Sequence, residues 1–172
     1  MDEIEQTNKV KILEELQKNG RASLSEIAEK IGLSRQTVAK TINNMEKKKE
    51  IWGYTAIFDP KLLDKKPFIL MGKIDLSINP DEFLKKVTNE KRINQNEEKM
   101  GLKITMYLHG TSDILGLFWA KDIVEAKKVM NFYQLTMRPN LKEIELLDVM
   151  KTFRFAGISN PKMIEEWTNL II

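Results

Sequence analysis

Between residues 34 and 48 the chain carries Ser34, Arg35, Gln36, Thr37, Lys40, Thr41, Asn44, Lys47 and Lys48. Wound as an α-helix, this stretch puts Val38, Ile42 and Met45 on one side and leaves the polar set outward or flanking. The chemistry on offer is hydrogen bonding and charge rather than bond making. A carboxamide such as Gln36 fits an adenine edge, and the Arg35 guanidinium fits a guanine edge or a phosphate. Lys40, Lys47 and Lys48 suit phosphates, because long ammonium side chains position rather than discriminate. Ser34, Gln36 and Thr37 fall in the first turn, where free backbone N–H groups favour phosphate. Asn44 is open between a base contact and a bystander. Residues 35–49 hold five basic side chains against one acid, Glu46. That field steers a polyanion, although lysines there also suit the negative end of a helix dipole. A plainly solvated helix face is the competing reading for each side chain.

The elements that must hold this set are legible on either side. Ser23 can cap a helix with Glu26 closing a capping box, and Leu24, Ile27, Ala28 and Ile31 then share one face. Gly32 stands where a left-handed residue is cheap, and Ser34 can cap the next helix. Residues 24–48, LSEIAEKIGLSRQTVAKTINNMEKK, therefore form a helix-turn-helix pattern whose second helix is long enough for a major groove. A first helix over 10–18, with Val10, Ile12, Leu13 and Leu16 as its apolar positions, ends at Asn19-Gly20. Three such helices make a core that is marginal alone, so something must brace it.

Residues 50–59 (EIWGYTAIFD) read as one or two short strands, either a wing or a linker strand that pairs with a partner chain. Asp59-Pro60 opens a hinge that Pro67 closes. From Phe68 the pattern becomes strand, helix, strand, strand, helix, strand. The strands fall at 68–77, 102–109, 114–120 and 141–149, with Asn79-Pro80 and Asp122 starting the helices. Leu102, Ile104, Met106 and Leu108 are expected on one face of the second strand. This order matches a ferredoxin-like layer with two helices on one sheet face. The other face is too apolar to stay bare: Met71, Met106, Leu117 and Trp119 cannot all lie under two helices, which predicts a dimer interface. The fold class is α+β: a helix-turn-helix domain over 1–52, a linker strand and hinge over 53–67, a ferredoxin-like domain over 68–152, and a C-terminal extension over 153–172. Asn160-Pro161 caps a short helix in that extension, with Met163, Ile164, Trp167, Leu170 and Ile171 on one side.

The 172 residues contain no cysteine and one histidine, His109, against a formal net charge of +3. Disulfides, thiolate metal sites and cysteine nucleophiles are excluded, and no histidine cluster can form in one chain. Neither a nucleophile–base pair nor a phosphate loop stands out, so no catalytic residue, metal or cofactor is expected. No apolar run reaches eighteen residues, and the start, MDEIEQTNK, is acidic and polar. The expectation is a cytoplasmic protein without a membrane partner.

Segment by segment, the ILEELQ helix, the GRAS turn at 20–23, the IAEKIGLS bend and the IWGYTA exit resemble the Lrp/AsnC family of leucine-responsive, feast/famine transcriptional regulators. The second part resembles that family's effector and assembly domain, including HGTSD at 109–113. Three positions depart from the family pattern: Thr41 replaces a basic residue, Lys49-Glu50 replaces Gly-Val, and Gly110-Thr111-Ser112-Asp113 replaces Gly-x-Tyr/Phe-Asp. The resemblance implies double-stranded DNA as partner and homodimers that assemble into tetramers or octamers. It also implies an amino acid effector bound near His109, Gly110, Thr111, Ser112 and Asp113. Chemically, the Gly110 amide can meet a carboxylate and Asp113 can accept from an α-amino group. The alternative is a turn held by Asp113's own backbone hydrogen bonds, with His109 a packed or surface residue. Two rival functions stand beside the regulator: an enzyme or its amino-acid-sensing subunit, and an interaction module that does not bind DNA specifically.

Overall fold

The computed structural model describes residues 3–88, 101–165 and 168. The chain divides into two compact units, Met1–Ile57 with Thr152–Ile172, and Phe58–Lys151.

The first unit is built on α1 (Glu3–Lys18), α2 (Leu24–Ile31) and α3 (Arg35–Lys47). Helix α1 starts earlier than apolar periodicity suggests. Glu3 and Glu5 suit its positive end, and the Thr7 hydroxyl donates to the Glu3 carbonyl at 2.9 Å. At α2 the capping box is complete: Glu26 N–H donates to Ser23 Oγ at 3.2 Å, and Ser23 N–H donates to the Glu26 carboxylate at 2.6 Å. Gly32 takes the left-handed conformation at φ 70° and closes the helix. Ile12, Ile27, Ala28, Val38, Ile42 and Met45 form the core. An ion pair supplements it. Lys9 is buried, and its ammonium donates to both Glu50 oxygens at 3.1 and 3.0 Å, tying α1 to the segment after α3.

Among the described residues, 52–58 pair with no strand, which speaks against a wing and leaves the reading of 50–59 as a linker strand that pairs with a partner chain. Ile51 packs on the helical core, and Trp52 is 97% exposed. At the other end of the chain, β5 (Arg154–Phe155) and β6 (Ile158–Ser159) form a hairpin that the sequence reading missed. Ala156 and Gly157 both take positive φ, as a two-residue hairpin turn requires. A helical turn begins at Met163; Trp167, Leu170 and Ile171, assigned to its apolar side, lie outside the described residues.

The second unit opens with a 3-10 turn, Pro60–Leu63, capped by Asp59. Its four strands are β1 (Lys66–Ile74), β2 (Leu102–Tyr107), β3 (Ile114–Ala120) and β4 (Leu141–Asp148), in the all-antiparallel order β2-β3-β1-β4. With α4 (Pro80–Thr88) and α5 (Ile123–Met137), this is the ferredoxin-like arrangement. Phe68, Leu70, Phe118 and Ala120 meet Ala126 of α5, and Ile74, Ile114 and Leu141 meet Phe83 of α4 and Met137 of α5. Both helices therefore cover one sheet face.

The pairing register assigns the opposite face. Met71 stands across from Leu115, Leu117 across from Ile69 and Ile104, and Trp119 across from Pro67; Met106 pairs with Leu115 on the other edge. All four residues named from the sequence share this helix-free face. Leu102 does not join Ile104 and Met106 on it. A bulge at Lys103 flips Leu102 to the helix side, where it packs near Phe118. The Trp119 ring meets Phe58 edge-on at 5.2 Å and Lys103 Nζ at 4.7 Å.

Candidate nucleic-acid interface

Helix α3 is fixed at both ends. Ser34 Oγ accepts from Thr37 N–H at 3.1 Å and shares a second hydrogen bond with Thr37 Oγ1 at 2.8 Å. Those two hydroxyls serve the cap first. The Arg35 and Gln36 backbone N–H groups stand at the positive end of the helix, where anions are favoured. At the far end Lys48 is the C-cap and Lys49 turns left-handed at φ 57°. Val38, Ile42 and Met45 are buried, which sets the helix's rotation. Arg35, Gln36, Lys40, Asn44, Lys47 and Lys48 are exposed, while Thr41 is half-buried on the flank.

At about 100° per residue, the side opposite the buried trio carries Gln36, Lys40 and Lys47, with Asn43 and Asn44 about 50° to either side of it. Arg35 and Thr41 lie nearer the core. The sequence reading names Asn44 and omits its neighbour Asn43. The angular relation of Asn43 to Val38 and Met45 is the signal that finds it. The acid in this stretch, Glu46, is turned aside: Tyr54 donates its hydroxyl to Glu46 at 3.0 Å. Burial, and then the adjoining carboxylate, push the Tyr54 phenol upward, so it stays a donor across the neutral range.

The 109–113 turn lies on the second unit. His109, Gly110 and Thr111 are exposed; Ser112 and Asp113 are half-buried. Asp113 is fully engaged within the chain. One carboxylate oxygen accepts from Ile74 N–H at 2.8 Å, and the other meets Lys73 Nζ at 3.2 Å. Its backbone N–H donates to the Gly72 carbonyl at 2.8 Å, and its carbonyl accepts from Leu108 at 2.7 Å. Lys73 also donates to the Gly110 carbonyl at 3.1 Å. These contacts favour the turn-holding reading of Asp113. Beside the turn lies a shallow cavity of about 180 Å³, bordered by Lys73, Thr111, Ser112, Glu143 and Glu145.

The Ile74 N–H, then Lys73, hold the Asp113 carboxyl below the usual aspartate range. A depressed carboxyl contributes stability above its unfolded value of about 3.9, and loses it as pH falls through the lower folded value. Asp113→Asn should therefore lower stability at pH 7, with the gap to wild type closing as both are melted at successively lower pH below about 4. A gap that is flat from pH 7 to pH 2 would show the charge to be irrelevant.

Among the described residues no group of histidine, cysteine, aspartate or glutamate could hold a metal ion, and no helix is long and apolar enough to cross a membrane. Residues 6–48 match the family described as winged helix-turn-helix DNA-binding. The chain is 39% identical over 75 residues to the leucine-responsive regulatory protein of Haemophilus influenzae, which covers 43% of this chain and 45% of that protein. It spans about half the length of the curated relatives it matches. Two solved structures share the fold at 18% identity. One is the leucine response regulatory protein of Mycobacterium tuberculosis, with a TM-score of 0.67 over 94% of this chain and 100% of that one. The other is a transcriptional regulator of Neisseria meningitidis solved as an L-Met complex, with a TM-score of 0.65 over 94% and 97%.

Proposed function

We propose that this protein is a double-stranded-DNA-binding transcriptional regulator of the Lrp/AsnC type that works as a dimer. The observation that carries the reading is α3 itself. It is capped and rotated by its buried residues so that a crest of carboxamides and ammonium groups is left to solvent, inside a segment matched by a DNA-binding family. Gln36 reads a base edge, while Arg35, Lys40, Lys47 and Lys48 neutralise phosphates, with Ser34, Thr37, Thr41 and Asn44 at the margin.

Dimerisation supplies what one helix lacks. The helix-free sheet face bearing Met71, Met106, Leu117 and Trp119 meets its copy, and the unpaired segment 52–58 adds a strand from each subunit. Two α3 helices then fit half-sites one helical turn apart, or a multiple of that. Further assembly into tetramers or octamers follows from the likeness to Lrp/AsnC proteins. An amino acid effector belongs at the cavity beside the 109–113 turn. Its volume suits a molecule of that size, and a similar protein was solved with L-Met. Thr111 and Ser112 offer hydroxyls, Glu143 and Glu145 carboxylates, and the Gly110 amide a donor. Melting the protein in the presence of each of the twenty amino acids tests this; no shift with any of them removes the effector from the reading.

The DNA reading is tested by band shift against the DNA upstream of the protein's own gene, with competitor DNA and rising salt. Retention over competitor with a clear salt slope supports it; no binding by micromolar protein at about 50 mM salt overturns it. Lys40→Ala should weaken all sequences alike and reduce the slope of log K against log salt by about 0.9 for each phosphate no longer neutralised. A weakening confined to one sequence would show that Lys40 reads a base.

A further inference from the structure

We infer that Asn43 is a base-reading residue of this protein and that, together with Gln36, it sets a preference for adenine at two places in each half-site. The inference rests on the DNA-binding reading and adds to it a residue and a base.

The geometry begins with the core. Val38 and Met45 are fully buried and Ile42 nearly so, which leaves α3 one rotation. With that rotation Gln36, Lys40, Asn43 and Lys47 fall within an arc of about 60° on the side away from the core. The steps of four, three and four residues keep the crest in line for three turns. Any surface that docks against α3 from outside meets this line first. Lysines at 40 and 47 attract phosphate without discriminating; the two carboxamides discriminate. An Asn or Gln carboxamide places an acceptor and a donor so that both can pair with adenine N6 and N7 in the major groove, a match no other base offers there.

Asn43 suits the task better than Asn44. It stands about 20° from Gln36 around the helix axis, whereas Asn44 is turned about 80° from it. Among the described residues the Asn43 side chain is exposed, and no intramolecular hydrogen bond occupies its carboxamide. Its two side-chain torsions make it shorter and stiffer than Gln36, so it must be close to what it reads. Gln36 and Asn43 are seven residues apart, about 10.5 Å along the axis. Base pairs stack at about 3.4 Å, so the two carboxamides span at most about three base steps, fewer where the helix is inclined to the duplex axis. Nothing in the stretch competes by charge: the acid at 46 lies off the crest and holds Tyr54.

The experiment is selection of bound fragments from random duplex DNA, run in parallel with the full-length wild type, Asn43→Ala and Asn44→Ala. Alanine favours an exposed helix, so neither variant should disturb folding. The expected result is a wild-type site with two A·T pairs per half-site, at most about three steps apart. With Asn43→Ala one of those positions should become indifferent while the rest of the site is kept. Band shifts on the selected site, and on the same site with that pair changed to G·C, should differ by about tenfold or more for wild type. They should differ by less than about twofold for Asn43→Ala. Asn44→Ala should keep the wild-type preferences. If Asn43→Ala selects the same bases as wild type at every position, or the position that becomes indifferent is not A·T, the assignment is overturned while DNA binding stands. If the wild type selects no sequence at all, the DNA-binding reading falls, and this one with it.

Discussion

Replacing Leu117 with Glu is expected to lower the particle mass at least twofold while leaving the subunit folded. Leu117 lies at the middle of the helix-free sheet face, flanked by Ile69 on one strand and Ile104 on the other. In a lone subunit a carboxylate there reaches water and costs little. In a dimer closed through this face it is buried twice, because a two-fold interface uses each surface residue once per subunit. An unpaired buried charge costs about 3–5 kcal/mol. Two copies therefore cost at least about 6 kcal/mol, or roughly ten-thousand-fold in dissociation constant. Sedimentation at micromolar concentration checks the mass, and circular dichroism checks the fold. DNA retention should fall with the mass, because each particle then presents a single α3. An unchanged sedimentation coefficient would place the interface elsewhere.

Much of this arrangement was legible in the sequence where its causes are local. The Ser23–Glu26 box, the left-handed Gly32, the Ser34 cap and the Asp122 cap each depend on residues within three or four positions, and each stands as expected. The strand and helix order of the second unit followed from periodicity. What escaped the sequence was set by contacts from further away. The bulge at Lys103 moves Leu102 to the other face, and nothing near Leu102 announces it, since the bulge exists only against β3. The Ala156-Gly157 hairpin rests on short strands with little patterning. Residues 50–59 have strand composition, but a strand needs a partner, and none of the described residues pairs with this segment. At the candidate sites the same division holds. The polar set of α3 could be read from types and spacing. Asn43 needed the helix rotation, and the engagement of Asp113 by Ile74 and Lys73 needed a pairing forty residues away.

One position along β3 from Leu117, the expected effect reverses. Phe118 is completely buried on the helix face, its ring stacked on Phe68 with centroids 5.8 Å apart, beside Leu70, Ala120 and Ala126. Phe118→Ala removes that ring from the centre of the layer between sheet and helices. The transfer loss and the cavity together cost about 3–5 kcal/mol, because strands paired on both sides cannot collapse inward. Against a total of about 5–15 kcal/mol for a domain, this is about a fifth or more of the stability. It corresponds to a melting temperature lower by roughly 12 °C or more. Phe118→Leu, which keeps most of the volume, should recover the larger part of the loss. The pair of neighbours thus separates two roles on one strand. Leu117→Glu should change mass and spare the melt, while Phe118→Ala should lower the melt with no charge placed at the interface. A loss below about 1 kcal/mol for Phe118→Ala, the level of an ordinary point mutation, would mean that the ring is not the centre of the core. The register that assigns Leu117 to the open face would then fail as well, since alternation along β3 binds the two placements together.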